Sequence, residues 1–128
     1  MKVLLDTHIF LWAVSDDKRL TVAMRKTWVA PGNELFMSVA SIWEILIKVG
    51  LHKLPLPVPA AAFIQKEMEQ NRISLLGIRP AHLAELERLP PLHRDPFDRM
   101  LVAQARVDGL RLLSADAHIM KRYGVPLA

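Results

Sequence analysis

Two acids lie one helical turn apart in the segment HRDPFDRMLVAQA. Asp95 is expected to be the N-cap of a helix, because Pro96 follows at the first helical position, where a missing N–H costs nothing. The helix is predicted to run to about Val107 and to end at Gly109. Asp98 then lies in the first turn, where it either complements the helix dipole or directs its carboxylate toward a ligand.

Three further acids stand at the ends of predicted strands or the beginnings of predicted helices. Asp6 ends the strand KVLL, Asp116 ends the strand LRLLSA, and Glu44 closes SIWE, which has the S-x-x-E form of a capping box. In a parallel sheet with helical crossovers, strand carboxyl ends and helix beginnings share one edge. We therefore expect four acids at that edge, where open α/β sheets place their sites: Asp6, Glu44, Asp98 and Asp116.

This set of acids allows two hypotheses. Carboxylates gathered at one edge repel each other, and their pKa values rise unless a cation neutralises them. Oxygen ligands suit Mg²⁺ or Mn²⁺ rather than zinc, and the chain has no cysteine to supply a thiolate. Alternatively, each acid only caps a helix, and the chain is a non-catalytic interaction domain.

Short apolar strands alternate along the chain with amphipathic helices. Strands are predicted at residues 2–5, 34–39, 73–78 and 110–115, with a possible edge strand in the final VPLA. Helices are predicted after Thr7 and Thr21, after SIWE to Gly50, from Pro59 to Gln70, from Pro80, and after Asp116. The alternation predicts a three-layer α/β/α fold around a central, mainly parallel sheet, in a single domain of residues 1–128.

Composition limits the function classes. Hydrophobic residues make up 52% of the chain, which indicates a sheet buried on both faces or an apolar surface for a partner. With Trp12 and Trp28, the first helices carry more large apolar side chains than a small core needs, so we expect these two residues at a partner surface. The net charge of +4 permits nucleic-acid binding without establishing it. Asp6 interrupts any signal-peptide core and no apolar run could span a membrane, so a cytoplasmic protein is expected.

Four segments together resemble the successive signatures of PIN-domain proteins, in particular VapC-type toxins of toxin–antitoxin pairs: LLDTHIFLWAV, SVASIWEI, HRDPFDRMLVAQA and LLSADAHI. The resemblance runs from one end of the chain to the other, and it assigns the family's acidic cluster to the same four acids. The Thr or Ser that the family usually carries two residues before the last acid is Ser114. His8 departs from the pattern, since many relatives carry a small hydroxyl residue there.

The resemblance implies a PIN-like sheet of order 3-2-1-4-5, with Asp6 and Asp116 on neighbouring strands. It also implies an Mg²⁺- or Mn²⁺-dependent ribonuclease, a hydrolase that cleaves RNA phosphodiesters as the toxin of such a pair. The implied partners are an RNA substrate, a cognate antitoxin and a second copy of the chain. In that chemistry a cation lowers the pKa of a bound water and orients it for attack on phosphorus.

The roles of the neighbouring cationic side chains stay open. Arg94, Arg99 and His93 either hold RNA phosphates or pair with the carboxylates, and His8 either contacts substrate or packs. Two other enzyme classes are disfavoured. A haloacid-dehalogenase-like phosphatase needs a second Asp at the position of His8, and a phosphorelay receiver needs paired acids after the first strand.

Overall fold

The computed structural model describes residues 1–128, which form a four-stranded parallel sheet with helices on both faces. The strands are β1 Lys2–Leu5, β2 Glu34–Ser38, β3 Ile73–Leu76 and β4 Arg111–Leu113, in the order β3-β2-β1-β4. The helices are α1 Thr7–Val14, α2 Val22–Val29, α3 Val39–Gly50, α4 Ala60–Gln70, α5 Pro80–Arg88, α6 Pro96–Asp108 and α7 Ala117–Arg122. None of them is both long and apolar enough to cross a membrane.

The central strand β1 is buried on both faces, as its unbroken apolar run predicts. Val3, Leu4 and Leu5 have no exposed surface. Because side chains alternate along a strand, Val3 and Leu5 join one apolar cluster with α1, α3 and α4, whereas Leu4 joins a second cluster with α6 and α7. The predicted three-layer α/β/α architecture is therefore confirmed.

The fifth strand of the expected order is reduced to a single parallel bridge between Leu112 and Leu127. The amide of Leu112 donates to the carbonyl of Pro126 at 2.9 Å, and the amide of Ala128 donates to Leu112 at 3.0 Å. Pro126 has no N–H to donate, so a ladder cannot continue through it. The order of the first four strands, 3-2-1-4, is as expected. The prediction of a full fifth strand was wrong, because only one bridge forms there.

Two helix beginnings differ by one residue from the prediction. The N-cap of α1 is Asp6 rather than Thr7, and its carboxylate accepts from the amide of Ile9 at 3.1 Å. Pro59 is the N-cap of α4 rather than its first helical residue. The predicted N-caps of α2 and α6, Thr21 and Asp95, are confirmed.

The predicted capping box at the start of α3 was wrong. The N-cap is Ser38, whose hydroxyl accepts from the amide of Ala40 at 3.0 Å, so the helix begins at Val39. Ser41 therefore lies inside the helix, and its buried hydroxyl has no hydrogen-bond partner. Glu44 falls in the second turn, beyond the reach of a return cap.

Candidate functional site

Asp6 stands at the carboxyl end of β1 and is 2% exposed. One carboxylate oxygen caps α1. The other accepts from the hydroxyl of Ser114 at 2.9 Å and from the amide of Ala115 at 2.8 Å. Since β1 and β4 are neighbours in the sheet, these bonds fasten Asp6 to the turn that follows β4.

Ser114 connects the first acid to the last. Its hydroxyl donates to Asp6 and accepts from the amide of Asp116 at 2.9 Å. Asp116 occupies the N-cap position of α7, yet its side chain forms no capping hydrogen bond. The half-buried Asp116 carboxylate is therefore not used as a cap.

Glu44 is held beside Asp6 by contacts that the sequence did not predict. Its side chain is 5% exposed, and it accepts from the hydroxyl of Thr7, the residue after Asp6, at 2.7 Å. The other oxygen pairs with the ammonium group of Lys48 at 2.9 Å. The i,i+4 spacing of Glu44 and Lys48 could have indicated this ion pair, whereas no local signal indicates the contact with Thr7.

Asp98 is a partly buried carboxyl group in the first turn of α6. Burial raises its pKa to about 6, and the negative charges of Asp95 and Asp6 add to that effect. A contact of 2.7 Å between Oδ2 of Asp98 and Nε2 of His93 acts in the opposite direction. A carboxyl with its pKa raised by burial and by neighbouring acids is typical of functional sites.

Asp95 is engaged as a cap, as predicted. Its Oδ1 accepts from the amides of Phe97 at 2.8 Å and Asp98 at 3.1 Å. The two acids of this segment therefore differ in role: Asp95 caps the beginning of the helix, and Asp98 contacts His93 with its carboxylate.

The two arginines of the segment do not pair with the acids. The guanidinium group of Arg99 donates to the carbonyls of Leu86 at 3.5 Å and Leu89 at 3.3 Å, at the end of α5. Arg94 is exposed, and its side chain forms no ion pair. Of the three flanking cationic residues, only His93 contacts one of the four carboxylates.

The four acids gather at one edge without forming a ready metal centre. The structure contains no group of three or more His, Asp or Glu side chains close enough together to hold a metal ion. In the structure the carboxylates have other partners: Lys48 pairs with Glu44, His93 contacts Asp98, and three donors bind Asp6. The donor chemistry fits a hard divalent cation, since each of the four side chains offers carboxylate oxygens.

The chain is similar to known proteins over nearly its whole length. The sequence profile of the PIN domain matches residues 3–125. Ribonuclease VapC22 of Mycobacterium tuberculosis (strain ATCC 25618 / H37Rv) is 29% identical over 118 residues, covering 91% of this chain and 88% of that protein.

Two solved structures show the same fold. VapBC2 from Rickettsia felis, bound to a DNA fragment from its promoter, has a TM-score of 0.71 at 15% identity and covers 99% of this chain and 96% of that chain. A toxin–antitoxin complex from Klebsiella pneumoniae has a TM-score of 0.57 at 17% identity and covers 88% of this chain and 84% of that chain.

Proposed function

The chain belongs to the PIN domain family, and on that premise we propose that it is a ribonuclease that depends on Mg²⁺ or Mn²⁺. The proposed reaction is hydrolysis of RNA phosphodiester bonds. The proposed site consists of Asp6, Glu44, Asp98 and Asp116. The name of the similar VapC22, a ribonuclease, supports RNA as the substrate.

The observation that carries this proposal is that three of the four acids do not serve as helix caps. Glu44 lies in the second turn of α3, Asp98 contacts His93, and Asp116 forms no cap. Asp6 caps α1 with one oxygen only. The alternative of a non-catalytic domain with capping acids therefore lacks the capping hydrogen bonds of Glu44, Asp98 and Asp116.

The four carboxylates would hold the cation, which when bound lowers the pKa of a water and stabilises the charge that develops on the transferred phosphoryl group. The hydroxyl groups of Thr7 and Ser114 orient Glu44 and Asp6 by fixed hydrogen bonds. Lys48 compensates the charge of the buried Glu44. Nε2 of His93 lies 2.7 Å from Oδ2 of Asp98 and holds that carboxylate in place.

The flanking arginines take different roles in this proposal. Arg94 is exposed beside the N-terminus of α6 and is free to contact an RNA phosphate. Arg99 is already bound to backbone carbonyls of α5, so we assign it to holding α5 against α6. Ser114 is assigned to orienting Asp6 rather than to contacting substrate.

We also infer that the protein is the toxin of a toxin–antitoxin pair, that it acts in the cytoplasm, and that it forms a homodimer. The similar complex from Klebsiella pneumoniae supports an antitoxin partner. Exposed apolar side chains are available for assembly, among them Val22, Val29, Trp43 and Leu75. Trp12 and Trp28, the expected partner residues, instead lie half-buried against the core. Light scattering of the purified protein should give the mass of two chains, and a monomer would contradict the dimer.

The experiment that tests the activity is cleavage of single-stranded RNA by the purified protein. We expect cleavage with Mn²⁺ or Mg²⁺, loss of cleavage on adding EDTA, and recovery when the cation is restored in excess. A single-stranded DNA of the same sequence is the control for the choice of nucleic acid. RNA left intact with either cation, or cut equally well in EDTA, would contradict the proposal.

A further inference from the structure

We call the edge of the sheet that carries Asp6, Glu44, Asp98 and Asp116 the acidic edge. A concave region lies beside it. It is a cavity of about 430 Å³ between α1, the turn after α1 and the segment that follows α3. We name it the Trp12 cavity. Its lining includes Lys48, the side chain that pairs with Glu44, and His8, the neighbour of Thr7. The Trp12 cavity and the acidic edge therefore share a boundary.

An aromatic ring in the cavity is surrounded by polar and cationic groups. The indole of Trp12 is half-buried, and the imidazole of His8 lies 5.8 Å away between ring centroids, tilted by 48°. The guanidinium carbon of Arg19 lies 5.1 Å from the centre of the indole. The same guanidinium donates to the carboxylate of Asp17, from Nε at 3.1 Å and from Nη2 at 2.8 Å. The guanidinium therefore lies over the indole as a cation–π pair, and the Arg19 side chain stays 68% exposed.

The cavity holds one unpaired cation. Arg19, Lys48 and Lys53 line it. Arg19 is paired with Asp17, and Lys48 is paired with Glu44. Lys53 is exposed and forms no ion pair. An anionic strand that approaches the acidic edge is repelled by its carboxylates, and Lys53 offsets part of that repulsion on one side.

We propose that the Trp12 cavity binds one nucleotide of single-stranded RNA beside the cleavage position. This inference rests on the proposed ribonuclease function. The base takes the place of the exposed Arg19 guanidinium over the indole of Trp12. His8 lies at its side, and the adjoining phosphate contacts Lys53. A stacking aromatic with flanking cations is how proteins hold unpaired bases, because a base inside a duplex has no free face to offer.

The polarity of the cavity favours RNA over a protein segment. A separate cavity of about 480 Å³ is lined mostly by apolar side chains of α3, α4 and β3, such as Ile42, Ile64 and Met68. That lining suits an apolar protein segment, although nothing in the structure shows what covers it. The Trp12 cavity instead combines aromatic and cationic groups next to the carboxylates.

The first test is tryptophan emission in a protein that keeps Trp12 as its only tryptophan, made by Trp28→Phe and Trp43→Phe. EDTA prevents cleavage, and the probe is a short single-stranded oligouridine RNA. Stacking of a base on the indole should quench the emission as RNA binds. RNA that binds, by the anisotropy of a labelled strand, without changing the emission of Trp12 would overturn the proposal.

The second test is RNA affinity measured by anisotropy in EDTA. Trp12→Leu should weaken binding about 5- to 150-fold, the range that removal of one base-stacking aromatic produces, and Trp12→Phe should weaken it less than about threefold because a stacking face remains. Lys53→Gln should lower the slope of log affinity against log salt by about 0.7. Trp28→Phe is the matched control, since Trp28 packs on the same core but lies outside the cavity.

Each outcome separates this inference from the proposed function. If the wild type cleaves RNA with Mn²⁺ and all variants keep its affinity, the nucleotide subsite is wrong and the ribonuclease stands. The Trp12 cavity would then be a candidate site for a protein segment instead of RNA. If the wild type neither binds nor cleaves RNA, both proposals fall. If Trp12→Leu does not fold, the emission of the single-tryptophan protein and the salt slope of Lys53→Gln decide.

Discussion

Asp95 and Asp98 show how one helical turn separates two functions. Asp95 lies outside the helix, where its short side chain reaches the free amides behind Pro96. Asp98 lies inside the helix, where its carboxylate contacts His93 instead of those amides. The buried position that makes it a suitable ligand also raises its pKa.

The raised pKa of Asp98 predicts how stability depends on pH when no cation is bound. The pKa is about 6 in the folded state against an ordinary value of 3.8, so between these values the folded state binds more protons than the unfolded state. Stability therefore decreases as pH rises through this interval and levels off above pH about 6. The side chain of Asp98→Asn cannot ionise, so the variant should not lose stability in this way. Its free energy of unfolding should gain at most about 3 kcal/mol relative to the wild type across this interval.

The measurement is the free energy of unfolding in urea with EDTA across this pH range. The difference between Asp98→Asn and wild type should be smallest below pH 3.8 and largest above pH about 6. Asp16→Asn is a suitable control because Asp16 is an exposed acid, its side chain 92% accessible. A difference that stays constant with pH would show that the pKa of Asp98 is not raised in the folded state.

Among the secondary-structure elements, α3 carries the main error of local prediction. Two serines stand three residues apart, and the S-x-x-E pattern selects Ser41, whereas β2 ends directly at Ser38 and the helix begins there. Both hydroxyls offer the same local signal. The end of the strand ladder decides between them, and that ladder is formed with residues far away in the chain.

Alanine substitutions should distinguish these two serines. Ser38→Ala removes the N-cap of α3 and should lower the free energy of unfolding by about 1 kcal/mol. Ser41→Ala removes a buried hydroxyl that has no partner, so it should be neutral or stabilising. Urea unfolding of both variants measures the difference, and a larger loss for Ser41→Ala would contradict the position of the helix start.

Local signals predicted most of the elements, because proline, threonine and glycine mark where helices begin and end. They also placed the four acids at one edge, since that follows from parallel topology alone. The contact of Thr7 with Glu44 could not be predicted, as it joins side chains 37 residues apart. The sequence also could not predict which tryptophans are exposed. Trp43 is 60% exposed, and its ring centroid lies 5.5 Å from that of Phe97. Trp12 and Trp28 instead pack against the core.

At the scale of the whole molecule, the acidic edge joins both sides of the sheet. Asp6 connects β1 to the turn after β4, Glu44 comes from α3 on one face, and Asp98 comes from α6 on the other. A cation bound by these groups would cross-link the three layers. Ligand binding to the folded state alone stabilises it in proportion to the logarithm of ligand concentration.

The melting temperature should therefore rise with Mn²⁺ or Mg²⁺ concentration. Asp6→Asn should remove most of this rise, because the amide supplies one oxygen where the carboxylate supplied two. Without cation, the same variant should melt below the wild type, since Asp6 accepts three hydrogen bonds that its amide cannot all accept. A wild-type melting temperature indifferent to both cations would contradict a metal site.

The most direct test of the central claim is the single-turnover rate of RNA cleavage by Asp98→Asn and Asp95→Asn in Mn²⁺. Both substitutions remove one charge from the same helical turn, and asparagine caps a helix about as well as aspartate. If the acidic edge is catalytic, Asp95→Asn should keep a rate close to that of the wild type. Asp98→Asn should fold and lose cleavage by orders of magnitude. A fast Asp98→Asn variant beside an inactive Asp95→Asn variant would contradict the account.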